Sequence, residues 1–161
     1  MKRFLIIGNM NATGYKEVFP LIKENKLWLG VNKKAMIFNV PDDYPFEATV
    51  CGIDNEGKRF IKVNGVRWFT NLPHNSKRTL ELTQRYDHDK YPKYDNYDAI
   101  EVSRIKDIPY DYDGIMGVPI TILDYNLDEI EIVKFRKGDD DKDLSVNGKY
   151  TYSRILIRLK K

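Results

Sequence analysis

The sequence predicts an α/β fold, with a βαβ-type start to a mixed sheet followed by a mainly antiparallel β region. Three observations predict it. Residues 3–8 form a continuous apolar run that a helical pattern and a second apolar run follow. Residues 47–70 hold three strand-like segments separated by turn signals. Residues 150–159 alternate between apolar and polar side chains, as a strand with two distinct faces does.

The first elements read as strand, helix and strand. Residues 3–8 are apolar without alternation, which is typical of a strand buried on both faces in a parallel sheet. A helical pattern covers residues 15–25, within which Pro20 either kinks the helix or opens a second one as its first residue. Residues 26–31 are the second strand. We therefore expect a βαβ-type unit at the start.

A three-stranded antiparallel meander is predicted next, from residues 47–53, 58–63 and 66–70. Its first turn lies at residues 54–57, and Asn64-Gly65 is a strong signal for a type I′ hairpin. Such a hairpin shares one apolar face among Ile61, Val63, Val66 and Trp68.

On the other face of this hairpin Lys62 and Arg67 are predicted to oppose each other. Like charges in that position are mildly destabilising, so a bound anion is one reason for them. The alternative is that both side chains splay into water. The hairpin therefore supplies a testable anion site.

The sequence patterns that predict the later elements are weaker. Residues 73–98 are a polar, tyrosine-rich segment in which 76–85 is a predicted short helix. Two strands are predicted at 99–102 and 118–123, and an acidic loop at 139–143. The final strand is predicted at 150–159, after Asn147-Gly148. No repeat or linker interrupts the chain.

Length and composition favour one soluble domain, since 161 residues with 42% apolar and 32% charged residues can build a core. The one cysteine, Cys51, excludes an internal disulfide framework and fits a reducing, cytoplasmic location. The apolar run at residues 4–7 is too short for a signal peptide or a membrane span.

Charge is distributed in blocks. Residues 58–106 carry 11 Lys and Arg against 6 Asp and Glu, and residues 144–161 carry 5 against none. Basic blocks of this kind are the electrostatic footprint of a polyanion binder. Tyrosines interleaved with cations at residues 85–97 could also stack on bases. The candidate nucleic-acid-binding residues are Lys62, Arg67, Lys90, Lys93, Arg154 and Arg158.

Motifs for catalysis, cofactors or metals are missing from the sequence. There is no glycine-rich phosphate loop and no G-x-G-x-x-G string. Two histidines without a cysteine cluster make a poor zinc site, and residues 139–143 lack a calcium-loop pattern. We therefore predict no catalytic and no metal site.

Five stretches together resemble a known family. They are F-L-I-I-G-N-M-N at 4–11, Y-K-E-V-F-P-L-I-K-E-N-K-L-W-L-G at 15–30, V-R-W-F-T-N-L at 66–72, Y-P-K-Y-D-N-Y-D-A-I at 91–100 and Y-D-G-I-M-G-V-P-I-T at 112–121. In content and order they resemble the EcoRI-type adenine-specific DNA methyltransferases of restriction–modification systems.

The resemblance covers the C-terminal half of that family. Members carry an upstream S-adenosylmethionine-binding strand and loop and an Asn-Pro-Pro-Phe motif; the nearest string here, Asn71-Leu-Pro-His74, lacks the second proline and the aromatic residue. The resemblance implies a single domain over 1–161. Within it, 1–46 is the C-terminal part of a Rossmann-like, methyltransferase-like sheet, and 47–161 is a β-rich region facing DNA or substrate.

The function implied by the resemblance is a C-terminal segment of a DNA adenine-N6 methyltransferase that helps to engage DNA and is inactive alone. S-adenosylmethionine is then the cofactor of the full-length family and not of this chain alone. The implied partners are DNA and a chain carrying the N-terminal half. An apolar edge at residues 4–7 suits that chain or a homo-oligomer. The alternatives are a non-enzymatic nucleic-acid- or partner-binding module and a degenerate remnant.

Overall fold

The computed structural model describes residues 2–45 and 50–161, which form three sheets, one separate β-hairpin and one short α-helix. The strands are β1 (Leu5–Asn9), β2 (Trp28–Leu29), β3 (Met36–Asn39), β4 (Val50–Ile53), β5 (Arg59–Val63), β6 (Val66–Thr70), β7 (Ile100–Glu101), β8 (Met116–Pro119), β9 (Ile130–Phe135), β10 (Ser145–Val146), β11 (Lys149–Tyr150) and β12 (Arg154–Leu159). The helix is α1 (Phe19–Lys23), and 3₁₀ turns lie at Met10–Gly14, Ile105–Asp107 and Ile120–Asp124. The predicted mixed α/β class is confirmed, and strands outnumber helical elements in it.

The first sheet has the order β1-β6-β2, and both outer strands run antiparallel to β6. β1 and β2 are therefore parallel to each other on either side of β6, and α1 lies between them in sequence. The strand–helix–strand order is as predicted. The prediction that residues 3–8 are buried between parallel neighbours is wrong, because β1 is an edge strand with one antiparallel neighbour and exposed side chains.

Helix α1 is shorter than the predicted 15–25. Pro20 lies in its first turn, where a missing N–H costs no intrahelical hydrogen bond. Asn25 has a φ of 53°, the left-handed conformation that commonly ends a helix. Pro20 thus helps to begin the helix and does not kink it.

The second sheet has the order β3-β5-β4, so the predicted meander is wrong in its third member. β5 pairs with β3 and β4, whereas β6 leaves for the first sheet. The Asn64-Gly65 bend is a corner between two sheets, fixed by a hydrogen bond from the Met10 N–H to the Gly65 carbonyl oxygen (2.6 Å). The predicted first turn is present, with the Gly57 N–H donating to the Asp54 carbonyl. Of the predicted strand 47–53, residues 47–49 lie outside the described residues.

The third sheet has the order β7-β8-β12-β9, with β7 and β8 parallel and the other pairs antiparallel. Three predictions differ from it. The segment 76–85 contains no helix, the segment 118–123 turns from strand to 3₁₀ after Pro119, and the final strand begins at Arg154. In contrast, Asn147-Gly148 does close a two-residue hairpin, between β10 and β11.

The core lies on both faces of the third sheet. One face packs with α1, β2 and β6, through Ile22, Leu29, Phe69, Ile155 and Ile157 among others. A smaller cluster on the other face consists of Tyr94, Ala99, Leu144 and Leu156. The alternation of β12 thus serves two apolar clusters. Within the described residues, no helix is long and apolar enough to cross a bilayer.

Candidate nucleic-acid interface

Arg67 is directed into the molecule. It lies on β6 opposite Gly8 of β1, two residues before the core residue Phe69 and hence on the same sheet face. Its Nη2 donates to Oδ1 of Asp124 at 2.5 Å and its Nη1 to Oδ2 at 3.3 Å. Both residues are buried, at 7% and 9% exposure. The predicted opposition of Lys62 and Arg67 is wrong, because β5 and β6 belong to different sheets.

Arg154 is also engaged inside the fold. Its Nε and Nη2 donate to Oε1 of Glu101 at 2.9 and 2.6 Å, and the Tyr94 hydroxyl donates to Oε2 of the same carboxylate. Gly117 of β8 pairs with Glu101 on one side and Leu156 on the other, and a Cβ at Gly117 would collide with the Tyr94 ring. The glycine therefore makes the space in which this cluster forms.

The Tyr94 hydroxyl is held in its neutral form. Burial raises its pKa well above the ordinary tyrosine value, and the hydrogen bond to Glu101 raises it further. A neutral hydroxyl keeps its proton for the Glu101 carboxylate. The cluster Tyr94–Glu101–Arg154 is thus a satisfied internal network that ties β7 to β12.

Arg158 lies at the surface. It faces Glu131 across the β12–β9 pair, its Nη2 donates to Oε2 of Glu131 at 2.9 Å, and both side chains are 47% exposed. Pairs of this kind are screened by water and contribute at most about 1 kcal/mol. Arg158 can therefore contact a phosphate at small cost.

The three candidate lysines are exposed. Lys62 lies on β5, the central strand of the second sheet, between two exposed apolar neighbours, Ile37 of β3 and Val50 of β4. Lys90 donates to Oε1 of Gln84 at 3.1 Å and lies over the Tyr91 ring. Lys93 is exposed and makes no ion pair within the described part of the chain. These side chains present positive charge to solvent from two separate elements, β5 and the segment 87–98.

The tyrosines of residues 86–97 do not form an open stacking surface. Tyr91 and Tyr94 are buried, and Tyr86 packs between Tyr91 and Tyr112 with ring centroids 5.8 and 4.6 Å apart. The expectation that this group stacks on bases is therefore wrong for its buried members. Two tyrosines that the sequence did not single out, Tyr150 and Tyr152, are the most exposed aromatic side chains of the described residues.

The string nearest to the family's catalytic motif is part of the scaffold. Oδ1 of Asn71 accepts a hydrogen bond from the Phe4 N–H at 3.0 Å, and Nδ2 donates to the Lys2 carbonyl. Nε2 of His74 is 2.8 Å from the Leu29 carbonyl oxygen, so it donates there, and Nδ1 contacts Ser76. These side chains fix the ends of β1 and β2. Within residues 2–45 and 50–161, no group of three His, Cys, Asp or Glu side chains is placed to hold a metal ion.

Three carboxylates that organise the site were missed at the sequence level. Asp124 neutralises the buried Arg67 and Glu101 neutralises Arg154, and Asp95 accepts hydrogen bonds from the Asn147 and Gly148 N–H groups at 3.0 and 2.8 Å. Those two donors and the Ser145 hydroxyl lower the pKa of Asp95. The sequence does contain a signal for a buried, paired carboxylate at Glu101, because this charged residue lies between the apolar Ile100 and Val102.

Comparison with known proteins decides the family. The family model described as adenine-specific methyltransferase EcoRI matches residues 1–160. The chain belongs to this EcoRI methyltransferase family. The resemblance seen in the five sequence stretches is thereby confirmed.

Individual type II methyltransferases also match the chain along most of its length. It is 52% identical over 166 residues to the type II methyltransferase M.EcoRI of Escherichia coli, an alignment that covers 99% of this chain and 51% of the relative. It is 37% identical to M.MgeORF184P of Mycoplasma genitalium, covering 98% of this chain and 57% of the relative. It is 41% identical to M.MpnI of Mycoplasma pneumoniae, covering 82% and 44%. The chain thus spans about half the length of these relatives. No solved structure matches it.

Proposed function

We propose that this chain is the C-terminal segment of a DNA adenine-N6 methyltransferase of a restriction–modification system, that it helps to engage DNA, and that it is inactive alone. The observation that carries the proposal is family membership along the whole chain combined with a match to only about half of each relative. The binding of S-adenosylmethionine and the positioning of the reacting amine of adenine then depend on the other half of the enzyme.

The chemistry favours this division. An enzyme that methylates adenine N6 must take the base out of the duplex and hold its amine in line with the methyl donor. The groups of Asn71 and His74, in the string closest to the family motif, are engaged in holding β1 and β2. These side chains are therefore part of the scaffold, which supports a non-catalytic role for this string.

We propose that the DNA-contacting cations are Lys62, Lys90, Lys93 and Arg158. These four are exposed, or half exposed in the case of Arg158. The other two candidates are paired with buried carboxylates, Arg67 in a buried position and Arg154 with 12% of its side chain exposed, so we assign them to the scaffold. Phosphate neutralisation by exposed cations predicts weak, steeply salt-dependent binding to duplex DNA.

The first test is methyl transfer. The chain alone is expected to bind no S-adenosylmethionine in the micromolar range by calorimetry and to form no N6-methyladenine in mixed-sequence duplex DNA, measured by mass spectrometry. Adding the part of M.EcoRI that this chain does not match is expected to give methylation. Adenine methylation by the chain alone would contradict the proposal.

The second test addresses the DNA contacts. Replacing Lys62, Lys90 or Lys93 singly with alanine is expected to weaken duplex binding and to lower the slope of log affinity against log salt by about one unit each. The matched control is Lys16→Ala, which removes the same charge from a lysine that is 91% exposed and paired with Glu17. If Lys16→Ala changes the slope as much as the other variants do, net charge and not a defined interface governs binding.

A further inference from the structure

Strand β1 has an unpaired edge. In the β1–β6 ladder the Met10 N–H reaches the Gly65 carbonyl, and alternation along the strand then directs the backbone groups of Gly8 and Ile6 toward β6. The N–H and C=O groups of Leu5 and Ile7 and the N–H of Asn9 consequently point away from the sheet, whereas the Asn9 carbonyl begins the 3₁₀ turn Met10–Gly14. Within the described residues no strand pairs with that edge.

The first three side chains of β1 are apolar and lie on both faces of the sheet. Leu5, Ile6 and Ile7 are 53%, 57% and 43% exposed, and Ile7 lies beside Trp68 on the face that belongs to neither core cluster. Natural edge strands carry lysine, proline or bulges that prevent pairing, and Leu5–Asn9 has none of these. A strand that is apolar on both faces is typical of the interior of a sheet.

We infer that β1 becomes an interior strand by pairing, through Leu5, Ile7 and Asn9, with a strand from the methyltransferase half that this chain does not span. This inference rests on the proposed function. The relatives are about twice as long as the matched region, so each contains a further body of chain of similar size. That body can supply both a strand for the open backbone groups and apolar cover for Leu5 and Ile7.

The test uses proline as a backbone probe. Because the Ile7 N–H points to the open edge, Ile7→Pro removes no hydrogen bond to β6, yet it removes a donor that an incoming strand needs. Ile7→Val keeps that donor and serves as the matched control, and Leu5→Pro is a second variant of the same kind. The probe is the part of M.EcoRI outside the match with this chain, added to the full chain and measured by calorimetry.

The expected result is binding by the parent and by Ile7→Val, with at least tenfold weaker binding by Ile7→Pro and by Leu5→Pro. Thermal unfolding of each variant alone reports whether it folds. Amide hydrogen exchange in the parent gives an independent readout, since Leu5, Ile7 and Asn9 should become protected when the segment binds. Unchanged binding by a folded proline variant, or binding without protection of these amides, would overturn the inference.

The outcomes separate this inference from the proposed function. A complex that protects β1 but methylates no DNA leaves the inference standing and removes the proposed function. Methylation without protection of β1 does the reverse. The inference is overturned if the parent chain does not bind the segment. It is also overturned if light scattering shows that two copies of this chain dimerise through β1 and that the dimer does not bind the segment.

Discussion

Replacing Arg67 with alanine is expected to lower the free energy of unfolding by about 3–5 kcal/mol, since it leaves the buried Asp124 carboxylate without its partner. The loss is a large share of the roughly 5–15 kcal/mol that a domain of this kind has. Arg67 belongs to the first sheet, and Asp124 follows β8 of the third, so the pair also links two sheets. Urea unfolding followed by circular dichroism measures the change.

Two further variants locate the cause of that loss. Arg158→Ala removes an arginine whose pair with Glu131 is half exposed, and it should cost less than about 1 kcal/mol. The double variant Arg67→Met with Asp124→Leu should recover most of the stability, because removing both buried charges avoids an unpaired one. The unpartnered, buried Nε of Arg67 adds to the cost of keeping the native pair. Equal losses in Arg67→Ala and Arg158→Ala would refute this account.

Local pattern predicted the elements better than their partners. Both Asn-Gly dipeptides carry the same signal for a type I′ turn, which needs positive φ at both central residues. Asn147 and Gly148 have φ values of 51° and 74° and form that turn, whereas Asn64 keeps a negative φ while Gly65 has 72°. The carboxylate of Asp95 accepts hydrogen bonds from the N–H groups of both Asn147 and Gly148, and Asp95 is 52 positions from Asn147 in the sequence. Dipeptide propensity cannot report such a distant anchor.

The roles of the cations were harder to predict than their presence. Arg67 and Arg154 occupy basic blocks, which favoured a surface role, but their acidic partners lie 57 and 53 positions away. Burial of an arginine is decided by whether folding brings a carboxylate to it, and that depends on sheet order. Family membership, in contrast, followed from the order of short segments and needed no knowledge of tertiary contacts.

Glu101→Ala is expected to cost about 3–5 kcal/mol of unfolding free energy, because it leaves Arg154 charged and unpaired with only 12% of its side chain exposed. The Tyr94 hydroxyl also loses its acceptor. The matched control is Glu131→Ala, which removes a glutamate from a surface pair. Its partner, Arg158, lies on β12 as Arg154 does. That variant should lose less than about 1 kcal/mol in the same urea titration.

A pH series adds a readout specific to this cluster. Burial, reinforced by Glu101, raises the folded-state pKa of Tyr94 above the ordinary value of 10.0. The stabilisation from the neutral hydroxyl is thus fully present below pH 10 and is lost as the pH rises above it, since the unfolded state then releases a proton that the folded state retains. Tyr94→Phe should flatten the alkaline fall in stability relative to the parent. An alkaline fall of the same steepness in Tyr94→Phe would show that other groups cause it, and that Tyr94 does not link the Glu101 cluster to pH.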